Sequence, residues 1–147
     1  MAVAIAMGGA ASAGAEPEGI AWREDFAGAA REAAEGGRLV FVYFHRDDRP
    51  VCRTMERETL GNPDIARLVS GRFIPVRVDA LKGADLFARL IGGSGALAGA
   101  VADGDGEAVA AIVGFTDAPA YLRFLRRALD GFPRLKTAWK AAAARPD

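Results

Sequence analysis

The chain has one cysteine and one histidine among its 147 residues. A single sulfur cannot close an internal disulfide, and one cysteine with one histidine cannot build a Cys/His zinc cage. Disulfide-stapled and zinc-stapled scaffolds are excluded. An excess charge of one sign is missing too: 19 Lys and Arg balance 19 Asp and Glu, for a formal net charge of zero. With no overall field to gather phosphates, nucleic acid is not an expected partner. Apolar runs are too short, or too rich in Gly and Ala, to span a bilayer as a stable helix, so no integral membrane segment is expected. Internal repeats are absent, which removes a solenoid from consideration.

What remains is an apolar chain, 51% hydrophobic and 26% charged with a mean hydropathy of +0.10. That composition buries enough surface to offset chain entropy and rules out general disorder. At 15.4 kDa it suits one domain. The opening MAVAIAMGGAASAGA is small and apolar, and Ala13-Gly14-Ala15 before Glu16 has the A-x-A pattern of a signal-peptidase site. Export to the periplasm or beyond is the expectation. A basic n-region is lacking, so a cytoplasmic protein with an Ala/Gly-rich tail is the alternative. Three segments follow: a signal-like or disordered stretch at 1–18, a domain at 19–131 and a C-terminal helical extension at 132–147.

Periodicity supplies the elements. Phe26, Ala29, Ala30 and Ala33 recur at helical spacing before the stop Gly36-Gly37. Leu39 to Phe44 is an unbroken apolar and aromatic run, the pattern of a strand buried on both faces. Pro50 suits a first helical turn and leads into Val51, Cys52, Met55 and Leu60, while Asn62-Pro63-Asp64 is a cap with proline at the first helical position. Phe73 to Asp79 reads as a strand and Ala84 to Ile91 as a helix. Leu97 to Ala102 and Ala108 to Val113 flank Asp103-Gly104-Asp105-Gly106, which predicts an antiparallel hairpin. A helix through Tyr121, Leu125 and Leu129 is expected to end near Gly131, with another helix beyond it. A short strand around Ile20 to Trp22 would make the sheet five-stranded rather than four-stranded.

Trp22, Ala30, Ala34, Gly37-Arg38, LVFVYF (39–44), HRDDRPVCRTME (45–56), NPDIARLV (62–69) and RFIPVRVDA (72–80) together resemble the bacterial thioredoxin-like family. The resemblance spans Trp22 to Leu129 and is strongest from Leu39 to Asp79. It implies an α/β, three-layer αβα sandwich with a mixed four- to five-stranded sheet and a C-terminal helical extension. It also implies dithiol exchange by a CxxC pair at the start of the helix after the central strand, where the helix terminus stabilises a thiolate. Here the second cysteine falls on Cys52 and the first on Arg49, so the attacking thiol is replaced by a guanidinium. The family's cis-proline position falls at Leu97, where a trans link is expected because a non-proline cis bond costs several kcal/mol.

These departures imply that ordinary thioredoxin activity is lost and that the domain binds or scaffolds a protein partner, with no cofactor. The exposed loop His45, Arg46, Asp47, Asp48, Arg49 and Pro50, facing Leu97, is the expected contact surface. Asp47 and Asp48 read as charges that complement and cap the following helix, with Arg46 and Arg49 as their partners. Two alternatives keep Cys52 active. As a monothiol it would form a mixed disulfide or glutathione adduct if Arg49 folded over it. With Met55 or His45 it offers a soft-ligand set for Cu(I), although Met55 is also accounted for as core. Gly92-Gly93-Ser94-Gly95 lacks the GK[ST] ending of a phosphate loop, and the DGDG tetrad lacks the remaining ligands of an EF-hand. Arg123, Arg126, Arg127, Arg134, Lys136 and Lys140 make the C-terminal part basic, the pattern of a solvated helix face.

Overall fold

The computed structural model describes residues 19–144, with side-chain surroundings described through residue 131. The signal-like stretch lies outside the described residues. In chain order the elements are α1 (Phe26–Gly36), β1 (Leu39–His45), α2 (Pro50–Glu58), α3 (Pro63–Arg72), β2 (Phe73–Asp79), α4 (Ala84–Leu90), β3 (Ala98–Ala102), β4 (Ala108–Val113) and α5 (Ala118–Ala144). They form a mixed four-stranded sheet in the order β2-β1-β3-β4. β1 runs parallel to β2 and antiparallel to β3, and β3 pairs antiparallel with β4.

β1 organises the molecule because every one of its residues is buried. Successive side chains of a strand point to opposite faces, so a strand apolar at every position must be covered twice. Leu39, Phe41 and Tyr43 enter a core with Cys52 and Met55 of α2, Ile65 and Val69 of α3, and Tyr121 and Leu125 of α5. Val40, Val42 and Phe44 enter a second core with Ala29 and Ala33 of α1 and Phe87 and Leu90 of α4. Helices therefore cover both faces, as the three-layer expectation requires.

Local chemistry sets most boundaries. Gly37 stops α1 in the left-handed region at φ +67°, and the Asn62 side chain accepts from Asp64 N and Ile65 N to open α3 behind Pro63. Asp103 Oδ1 accepts from both Asp105 N and Glu107 N at 2.9 Å, and Gly106 takes φ +82°, which closes the β3–β4 hairpin. Thr59, fully buried, donates to the Thr116 carbonyl at 2.6 Å and ties the α2–α3 junction to the entry of α5.

Two expectations change. The strand near Ile20 to Trp22 is reduced to a single parallel bridge, in which Arg23 N donates to Pro75 O and Arg77 N to Arg23 O. The final helix runs from Ala118 through Ala144 without ending at Gly131. A glycine costs a helix interior about 1 kcal/mol and a proline about 3, the latter through its missing N–H and the clash of its ring with the preceding turn, so neither is an absolute stop where helix-forming Leu, Arg, Lys and Ala flank them on both sides.

Gly99 lies where Tyr121 crosses β3, and a Cβ there would collide with the Tyr121 hydroxyl. That hydroxyl is fully buried and makes no hydrogen bond. Gly99→Ala should therefore cost about 1–3 kcal/mol in denaturant unfolding. Tyr121→Phe should be near neutral, because it deletes an unsatisfied polar group. Combining the two should recover most of the loss; additive losses would show that the hydroxyl is not the obstacle.

Candidate functional site

The turn from β1 into α2 carries the residues singled out from the sequence. Pro50 occupies the first helical turn, which makes Arg49 the N-cap, in an extended conformation and with no side-chain cap. Asp47 and Asp48 are thus not the helix caps expected of them, because the proline sets the helix start beyond their reach. Asp48 instead takes two hydrogen bonds from Arg46, at 3.1 and 2.8 Å, and lies 3.9 Å from Arg49 Nε. The hydrogen bond from Arg46 and its positive charge hold the Asp48 carboxyl below the usual carboxylate range. Asp47 and Asp48 side chains are 81% and 61% exposed, so this loop faces solvent with charges of both signs.

Cys52 sits one turn inside α2 and is only 1% exposed. Its Sγ accepts from Arg46 N at 3.4 Å and lies 3.8 Å from the Ala96 carbonyl, to which the thiol donates. Both functions of the thiol are therefore spent on backbone groups, one from the loop and one from the segment before β3. The Arg49 guanidinium is half exposed and makes no hydrogen bond to the sulfur; Arg49 contacts Cys52 through its backbone, Cys52 N donating to Arg49 O at 3.1 Å. Met55, 1% exposed, packs in the same core. No cis peptide bond occurs among the described residues, so the link into Leu97 is trans. Leu97 is 6% exposed and belongs to that core as well, with its carbonyl accepting from Gly114 N.

A polar chain runs beneath the loop. Tyr43 donates to Glu56 Oε2 at 3.0 Å and lies within 3.4 Å of the Cys52 carbonyl, and Arg77 Nη2 donates to the same Glu56 oxygen at 3.0 Å. Arg77 is also 3.8 Å from Asp47 Oδ1, which in turn is 3.1 Å from His45 Nδ1. The His45 ring stacks on Tyr43 with centroids 5.8 Å apart, and its Nδ1 is off the line of a hydrogen bond to Asp47. Among the described residues no group of three or more His, Cys, Asp and Glu is arranged to hold a metal ion.

Sequence reasoning assigned Tyr43 to the core and missed Glu56 and Arg77. The available signal was Arg77 itself, a cation in the otherwise apolar run FIPVRVD, which sits opposite Tyr43 in the β1–β2 register. A half-buried cation in a strand calls for a carboxylate partner, and Glu56 on α2 is that partner.

Burial, the neighbouring Glu56 charge and the hydrogen bond to Glu56 raise the Tyr43 hydroxyl above the ordinary phenol range, and burial alone raises Tyr121. Both groups hold their protons more tightly folded than unfolded. The stability they contribute is complete below about pH 10 and is lost as pH climbs from there toward the raised values. Since these are the two tyrosines of the chain, alkaline titration of the folded protein should give no tyrosinate absorbance until circular dichroism reports unfolding. Absorbance rising at ordinary phenol pH on a native spectrum would contradict this burial.

The model of the thioredoxin-like family matches residues 21–105. No curated protein matches the chain. A thioredoxin from Thermus thermophilus aligns at 27% identity over 76% of this chain and 88% of that one, with a TM-score of 0.64. The DsbH oxidoreductase aligns at 19% identity over 76% and 85%, with a TM-score of 0.65. The C-terminal domain of DsbD from Neisseria meningitidis aligns at 20% identity over 73% and 98%, with a TM-score of 0.58. With its mixed sheet, two-sided helical cover and the strand–turn–helix that presents Cys52, this chain belongs to the thioredoxin-like family.

Proposed function

We propose that the protein is a thioredoxin-fold binding module in which dithiol exchange has been lost. The observation that carries this reading is the state of its one sulfur: Cys52 is buried and bonded to Arg46 N and the Ala96 carbonyl, while Arg49 holds the helix start. Reducing a disulfide takes two electrons, which a dithiol supplies by becoming a disulfide itself. With one thiol the reaction stops at the mixed disulfide, and a guanidinium cannot resolve it. The monothiol and Cu(I) alternatives both require the sulfur to leave its two backbone partners, and burial tells against both.

The surface offered to a partner is the loop from Arg46 to Pro50, which follows the buried His45. Asp47, Asp48 and Arg49 project from it, and Val51, 42% exposed, adds an apolar contact beside them. Arg46 N donates to Cys52 Sγ and Arg53 to the Asp47 carbonyl, and these bonds tie the loop to α2, which limits the ordering cost of binding. The A-x-A pattern at Ala13 to Ala15 supports placing the protein in the periplasm or outside the cell.

Titration with an aromatic disulfide should find Cys52 at least about a hundredfold slower in the native protein than in denaturant, since reaction awaits local opening. Insulin reduction should not exceed that of a Cys52→Ser control. Arg49→Cys, which rebuilds a CxxC pair at the helix start, should gain reductase activity. Rapid native labelling, or insulin reduction above the Cys52→Ser level, would refute the reading.

A further inference from the structure

A second surface lies at the free β4 edge of the sheet, two strands away from β1, and it is independent of the thiol. β4 is an edge strand of sequence AVAAIV, without the charge, proline or inward-pointing lysine that proteins use to blunt a free edge. Gly114 N donates to Leu97 O, so alternation along the antiparallel ladder turns Gly114, Ile112 and Ala110 toward β3. The N–H and C=O groups of Ala111 and Val113 face outward, and among the described residues no other backbone group pairs with them.

The two faces of this edge differ. On the α5 side, Ala110, Ile112 and Phe124 floor a groove of about 550 Å3 whose wall carries Arg123 and Arg127. Among the described residues neither guanidinium joins an ion pair. On the opposite face the sheet is uncovered at β4, where Ala111 is exposed and Val113 is 67% exposed.

We infer that β4 and α5 form a docking site for an extended peptide segment that adds to the sheet as a fifth strand, acidic on one face and apolar on the other. Strand alternation then carries its carboxylates to Arg123 and Arg127 and its apolar side chains to Ala111 and Val113. Main-chain hydrogen bonds supply the anchoring and the two arginines the choice of partner. A second copy of this chain is the poorer occupant: symmetric β4–β4 pairing would bring the arginines of both copies to one seam, where like charges oppose association.

The test uses the full chain and a fluorescein-labelled peptide of roughly eight residues alternating valine and glutamate, against its valine–lysine counterpart. Anisotropy should show saturable binding of the acidic peptide, at least about tenfold tighter than the basic one. Arg123→Glu with Arg127→Glu should abolish or reverse that preference. Ala111→Pro removes an outward N–H at an edge position, where proline is tolerated, and should eliminate binding of either peptide while thermal unfolding stays unchanged. The charge-reversed variant alters only exposed α5 side chains and decides the matter if Ala111→Pro fails to fold. Equal affinity for the two peptides, retention of binding by a folded Ala111→Pro, or a stable β4-dependent dimer that excludes both peptides would overturn the proposal.

Discussion

Two-sided burial of β1 is the constraint from which the rest of the molecule follows. Seven consecutive residues, Leu39 to His45, are all buried, and a strand has no way to hide alternate side chains except by placing a layer on each face. Phe41 is the clearest case. It meets Trp22, Phe73 and Tyr121 edge-on or tilted, with centroids 5.9, 6.3 and 5.9 Å away, and thereby joins the entry segment, β2 and α5 in one contact set. On the other face Phe44 meets Phe87 at 5.0 Å and draws α4 against the sheet. The parallel pairing with β2 and the antiparallel pairing with β3 give the same strand both of its backbone ladders.

The turn from β1 into α2 takes its position from that strand. Tyr43 places its hydroxyl under α2, where Glu56 accepts it and is shared with Arg77 of β2. His45, the last residue of β1, fixes the start of the loop, since its carbonyl accepts from Ala80 N at 2.8 Å. The loop returns over Cys52, and the Arg46 N–H closes on the sulfur. Exchange chemistry asks for an exposed thiolate at a helix start; here the helix start bears a guanidinium, and the remaining sulfur is a hydrogen-bonded part of the core. The loop above that sulfur is charged and faces solvent.

Much of this was legible in residue order because its causes are local. The all-apolar run of β1, the Asn62-Pro63 helix start and the Asp-Gly hairpin each depend on residues within one turn or one strand of each other. The end of α5 was less legible, since Gly131 and Pro133 are stop signals only when nothing else favours the helix. Asp47 and Asp48 mislead for a related reason: they are good capping residues, but Pro50 and Arg46 claim the geometry first. The Tyr43–Glu56–Arg77 chain was legible only as an oddity, a cation inside an apolar strand whose partner is 21 residues away.

By itself the sequence determined which segments fold and which chemistry is available: alternation, caps and turns are short-range, and the substitution of Arg49 for a sulfur is a matter of composition at one place. Tertiary structure alone decided what the remaining thiol experiences. Its burial and its two backbone partners, Arg46 and Ala96, come from a loop and a segment 44 residues downstream that only the sheet brings together. The exposure of the β4 edge was decided in the same way. Whether a strand ends up central or at the margin depends on the order in which strands pair, and that order is set by competition between whole faces for burial.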